Sequence, residues 1–136
     1  MPSPRFLLDR SLGGRKLVTA LRDAEWDAVT LAEHFGETRA QEMRDEEWIS
    51  EGTAAGFVLI AKDHHVATRP LEALAIYMHN ARVVTFARGD ITAEDMVALC
   101  LKFNTQIHRL ATVTPPFVMS LSQHGLRRKH LNSPTA

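Results

Sequence analysis

Short apolar runs alternate along this chain with longer stretches in which apolar residues recur every three or four positions. The short runs are Phe6-Leu7-Leu8, then Phe57-Val58-Leu59-Ile60-Ala61, then Val83-Val84 with Phe86, then Phe117-Val118-Met119 with Leu121. A strand buried on both faces reads as such a near-continuous run. Strands are therefore expected over residues 5–8, 57–61, 82–86 and 117–121, and residues 27–31 supply one more. The helical period is carried by Leu17, Val18 and Leu21 within residues 13–23. It returns in Trp48, Ile49, Gly52 and Ala55, between Asp45 as a cap and Gly56 as a stop. After Pro70, at home in a first helical turn, Leu71, Leu74, Ala75 and Met78 mark the expected buried face. Thr92 caps a long helix striped by Met96, Leu99, Cys100, Phe103, Ile107 and Leu110, with Glu94 and Asp95 placed where the helix dipole favours acids. Residues 33–44 are polar and contain Gly36, so a loop is expected to begin there.

This strand–helix alternation implies a single α/β domain with a mostly parallel central sheet and helices on both faces, a three-layer sandwich. A length of 136 residues suits one domain, expected over residues 1–130, with 131–136 as a frayed tail. The chain shows no internal repeat and no linker long enough to divide it. No run reaches the length of a membrane span, and the N-terminus has no apolar stretch of the signal-peptide kind. Cys100 is the single cysteine, so no intrachain disulfide can form, and a cytoplasmic location is expected.

Two of the apolar runs end on an acid. Asp9 follows Leu8, and Asp63 follows Ala61-Lys62. Open α/β sheets hold their ligands at the carboxyl ends of the strands. Acids facing one another there repel, and a divalent cation is the usual way to keep both ionised. Ser11, Gly13 and Gly14 after Asp9 are small enough to let a metal or phosphate near the backbone. Each acid also has an ordinary explanation. Asp9 suits a turn at a strand end, and Asp45-Glu46-Glu47 suits a cap with dipole-matched acids, worth about 0.5–2 kcal/mol. Asp63 with His64 and His65 is a poor zinc set, because adjacent residues seldom both reach one ion and neither C-x-x-C nor H-E-x-x-H accompanies them. There is no G-x-S-x-G, no dinucleotide fingerprint and no P-loop. The charge is uneven: residues 1–68 carry 12 acids and 8 Lys/Arg, a net of −4, and residues 69–136 carry 4 acids and 8 Lys/Arg, a net of +4. An acidic half beside a basic half suits a metal site next to a phosphate-binding surface.

Three segments together carry a resemblance: Phe6-Leu7-Leu8-Asp9-Arg10-Ser11-Leu12, Asp45-Glu46-Glu47-Trp48-Ile49, and Val58-Leu59-Ile60-Ala61-Lys62-Asp63. With Pro116-Phe117-Val118 and Gly125-Leu126-Arg127-Arg128, the chain resembles the PIN-like nucleases, in the short branch related to VapC-type toxins and Mut7-C-like domains. That resemblance implies an endoribonuclease of a toxin–antitoxin pair, with an RNA substrate, a small antitoxin partner and no membrane association. A homodimer stays open. It also implies Mg²⁺ or Mn²⁺ held by Asp9, Asp63 and Asp45, with Asp45 or Glu46 orienting water. Asp90 is a candidate fourth acid. Lys62 and Arg69 are then expected to offset charge on the scissile phosphate, and Arg127, Arg128 and Lys129 to track the RNA backbone. Two alternatives remain. One is a PIN-like module that grips RNA or protein without cutting. The other is a phospho-receiver domain, disfavoured because Asp9 is followed by Arg10 rather than by a second acid.

Overall fold

The computed structural model describes residues 3–131 apart from Gly13, so residues 132–136 of the expected tail and the start of the first helix at Gly13 lie outside the described residues. In chain order the regular elements are β1 (Arg5–Leu8), α1 (Lys16–Asp23), β2 (Asp27–Thr30), α2 (Leu31–Phe35), α3 (Glu37–Glu42), α4 (Asp45–Ala54), β3 (Phe57–Asp63), α5 (Pro70–His79), β4 (Arg82–Phe86), α6 (Ala93–Lys102), α7 (Asn104–Arg109), β5 (Phe117–Ser122) and β6 (Gly125–Lys129). They build one six-stranded sheet in the order β2-β1-β3-β4-β5-β6. The first five strands run parallel, and β6 returns antiparallel beside β5.

Alternation along the strands sorts the core into two layers. Phe6, Leu8, Val58, Ile60, Val84 and Phe86 face α1, α6 and α7. Leu7, Leu59, Ala61 and Val83 face the opposite layer, where Leu31, Ala40, Trp48, Ile49 and Ile76 close over them. Gly52 brings α4 down onto this second face. A β-carbon there would lie 2.7 Å from a methyl of Leu7 and 3.0 Å from one of Leu59, both side chains with no exposed surface. Among the described residues, no helix is long and apolar enough to cross a membrane.

Several local expectations are corrected. Residues 33–44 are largely helical, because Thr30 and Glu33 form a reciprocal capping box that starts α2, and Gly36, at φ +93°, turns the chain into α3. The strand expected through residue 31 stops at Thr30 for the same reason. Arg44, not Asp45, takes the cap position of α4, and Asp45 is its first helical residue. On α5 the buried residues are Ala73, Ala75 and Ile76, while Leu71 and Met78 are 57% and 62% exposed. That helix is apolar on most sides, so periodicity alone could not choose its inner face, and the small alanines permit the closer approach. The long helix behind Thr92 breaks at Phe103 into α6 and α7. Arg127, Arg128 and Lys129, which no expected strand covered, belong to an edge strand whose exposed basic residues suit an unpaired edge.

Because Gly52 sits under fully buried leucines, Gly52→Val should overpack this contact and lower stability by about 1–3 kcal/mol. A urea midpoint equal to that of the wild type would show that α4 can lift without cost.

Candidate active site

Beyond the exposed Arg5 at its start, β1 is buried, so the next polar residue emerges only where the strand ends. Asp9 does so, with its backbone N–H donating to the Ile60 carbonyl at 2.9 Å. Its carboxylate accepts a 2.6 Å hydrogen bond from the Ser11 hydroxyl. It also accepts from the Arg10 backbone N–H. Burial pushes the Asp9 carboxyl above its ordinary value, the Ser11 bond works against that, and the Asp45 charge raises it further. Asp45, at the head of α4, accepts a 3.2 Å bond from the indole N–H of Trp48, which is buried against the sheet. Two carboxylates from separate elements thus stand within electrostatic reach at the carboxyl edge, each accepting a hydrogen bond from an uncharged side-chain donor. Beside Asp9 lies a recess of about 280 Å³ bordered by Arg10, Arg15, Leu12, Leu31 and Gln41.

Asp63 ends β3 on the neighbouring strand. The β3–β4 register shifts between Ile60 and Asp63, a bulge that re-aims the side chains at this end of the strand. Its carboxylate accepts from the His65 backbone N–H at 2.8 Å and pairs with the Arg69 guanidinium at 2.8 Å. Among the described residues, no group of three or more acidic, histidine or cysteine side chains is gathered closely enough to hold a metal ion. The Asp9–Asp45 pair nonetheless has the donor chemistry of a small, hard cation, which takes one or two carboxylates and keeps several waters.

The other expected site residues fall at graded distances from this pair. Glu46 is half-buried, pairs with Arg44 at 3.5 Å and lines a groove between α4 and α5 with Leu74 and Met78. Lys62 lies near enough to Asp90 to lower its carboxyl, although Arg88, bonded to both oxygens at 3.1 and 3.2 Å, is the larger cause. Arg127 and Arg128 are exposed on β6, three strands from β3, on a strand that runs back from the carboxyl edge. Cys100 is buried, and burial lifts its thiol to about 12, which leaves it inert as a nucleophile. Ser11 and Arg10 were not singled out as supports of the acids; the only sequence signal was their place directly after a strand-terminal aspartate.

A mostly parallel sheet with acids at its carboxyl end is accompanied by a family match. The chain belongs to the PIN-like domain family, whose description as a PIN like domain matches residues 4–88. It is similar to "Putative ribonuclease VapC45" of Mycobacterium tuberculosis (strain ATCC 25618 / H37Rv), with 32% identity over 116 residues, covering 85% of this chain and 84% of that protein. No solved structure matches it significantly.

An acid whose native pKa is raised costs stability once ionised, and the cost fades as pH falls through the native value toward the ordinary one. Asp9→Asn should therefore raise the melting temperature by a few degrees at pH 7 in EDTA, with the gain shrinking near pH 4. Millimolar Mg²⁺ or Mn²⁺ should raise the wild-type melting temperature and leave the variant unmoved. Equal metal shifts in both proteins would place the ion elsewhere.

Proposed function

We propose that this protein is a metal-dependent endoribonuclease and the toxin of a type II toxin–antitoxin pair, acting on RNA and restrained by a small antitoxin. One observation carries the reading: Asp9 and Asp45 stand at the carboxyl edge within electrostatic reach of each other, and each carboxylate accepts a hydrogen bond from an uncharged side-chain donor. An uncompensated carboxylate pair is costly as structure alone and useful for a cation. The similarity to a protein named as a ribonuclease points the same way.

In this reading Asp9 and Asp45 hold Mg²⁺ or Mn²⁺, with Asp63 as the third ligand. When bound, the cation supplies charge stabilisation at the phosphate and lowers the pKa of the attacking water. Ser11 fixes the Asp9 carboxylate and Trp48 fixes Asp45, so neither has to reorganise as charge develops. Arg69, displaced from Asp63, and Lys62 offset the negative charge of the scissile phosphate. Glu46 has its own cation in Arg44 and is the weaker candidate for orienting water. Arg127 and Arg128 serve as outer contacts, met only by an RNA long enough to cross the sheet. Three strand spacings amount to about 14 Å.

Purified protein should cleave single-stranded RNA in Mg²⁺ or Mn²⁺ and stop in EDTA. Asp9→Asn and Asp63→Asn should each lower cleavage by at least about 100-fold while remaining folded. Wild-type activity in either variant would refute the assignment. The Asp63–Arg69 ion pair favours a second reading, a module that binds RNA without cutting it, because there the third carboxylate is already neutralised. Metal-independent RNA binding with no cleavage would select that reading.

A separate expectation concerns the outer cations. Neutralising Arg127 and Arg128 together should weaken binding of long RNA similarly for unrelated sequences. It should also flatten the salt dependence by about 0.7 per lost single-strand contact. Unchanged affinity and slope across a salt series would remove β6 from the RNA path.

A further inference from the structure

We infer that Arg10 is a positioning residue for the acid pair, a clamp that holds the Asp9 loop and the head of α4 together without neutralising either carboxylate. The inference rests on the metal-site reading above and deepens it. The guanidinium of Arg10 donates to the carbonyls of Ala40 at 2.9 Å and Gln41 at 2.8 Å through one nitrogen, and to that of Met43 at 3.2 Å through the other. These carbonyls lie at and just beyond the C-terminal end of α3, where helix carbonyls lack partners and favour a cation. Met43 is followed directly by Arg44 and Asp45, and Arg10 directly follows Asp9. One planar fork therefore ties the two acid-bearing segments together within a residue or two of each acid.

The reason for such a clamp is electrostatic. Asp9 and Asp45 repel when both are ionised, and repulsion alone would drive the Asp9 loop and the head of α4 apart. A cation bonded straight to the carboxylates would relieve the repulsion but compete with a metal for the same oxygens. Arg10 has its guanidinium bonds on neutral carbonyls instead, so its charge favours ionised Asp9 from a distance while the carboxylate oxygens stay open. A guanidinium presents its donors in a fixed plane and can satisfy several carbonyls at once, whereas an ammonium is a point charge.

The test uses the full chain and measures Mn²⁺ affinity directly by electron paramagnetic resonance, alongside steady-state cleavage. Asp9→Asn is the control that loses Mn²⁺. Arg10→Gln should weaken Mn²⁺ binding by about 10-fold or more, the usual cost of removing an outer support of a metal site. The KM for RNA and its salt dependence should hold, and excess Mn²⁺ should restore kcat. Arg10→Lys keeps the charge and loses the fork, and it should also bind Mn²⁺ more weakly than the wild type. If Arg10→Gln does not fold, Arg10→Lys decides alone by the same comparison. Wild-type Mn²⁺ affinity in Arg10→Gln, or full rescue by lysine, would overturn the clamp while leaving the acid site standing. A raised KM with a flattened salt slope and unchanged Mn²⁺ affinity would overturn it by making Arg10 an RNA contact. A wild-type protein that binds no Mn²⁺ would remove the metal-site reading and this inference together.

Discussion

The placement of β1 between β2 and β3 is the constraint on which the rest of this protein depends. Phe6 and Leu7 have no exposed surface, and Leu8 is nearly as buried, because helices cover both sides of the strand and strands flank both edges. A carboxylate cannot be accommodated anywhere along such a strand. After Arg5 at the strand's exposed start, the chain next turns polar at Asp9, whose backbone is held beside β3 through the Asp9–Ile60 hydrogen bond. The sheet thus fixes where an acid can appear as well as where it cannot.

The second acid arrives by another route, through the docking of a helix. α4 lies close to the sheet because Gly52 has no side chain to meet Leu7 and Leu59, and because Trp48 fills the space under its first turn. That depth brings Asp45 within electrostatic reach of Asp9. Trp48 then acts twice, as apolar ballast and as the donor that orients Asp45. Packing and polar positioning are served by one residue, so the geometry of the acid pair depends on the core and not on a flexible loop.

Strand–helix order, the parallel sheet, both core faces and the strand-terminal place of Asp9 and Asp63 were legible because each follows from a strong periodic signal. The parts that were not legible have physical reasons. The residues from Leu31 to Glu42 are polar on one side and short, so their helices depend on a capping box and a glycine turn more than on any long apolar stripe. β6 is an edge strand with one partner, and exposed arginines there carry no alternation to read. α5 is apolar around much of its surface, and tertiary contact, not period, selects Ala73 and Ile76 as its inner face. The acids were visible one by one, but their pairing was not. Sequence proximity to strand ends suggested Asp9 with Asp63, whereas the charge that raises the Asp9 carboxyl is that of Asp45, and Asp63 stands with Arg69. A bulge in β3 and the depth of a helix are tertiary facts with no local signature.

The uneven charge along the chain acquires a direction from the topology. β1, β2 and β3 come from the acidic half and stand together at one side of the sheet, whereas β4, β5 and β6 come from the basic half and stand at the other. Because sequence order largely becomes spatial order here, a net of −4 and a net of +4 face across the sheet instead of mixing. Local pairing blunts part of this: Asp90 is held by Arg88 on the basic side, and Glu33 and Glu51 by Arg22 and Arg39 on the acidic side. The Arg22 bond holds the Glu33 carboxyl down to about 2, so it stays ionised at any ordinary pH and contributes no titration near neutrality. On the acidic side Asp9 is an acid whose burial raises its carboxyl, with the charge of Asp45 raising it further and that of Arg10 lowering it. A phosphodiester approaching from the basic side would meet attraction first and repulsion last. In the functional reading above, the charge that resolves that last step is carried by the ion and not by the fold.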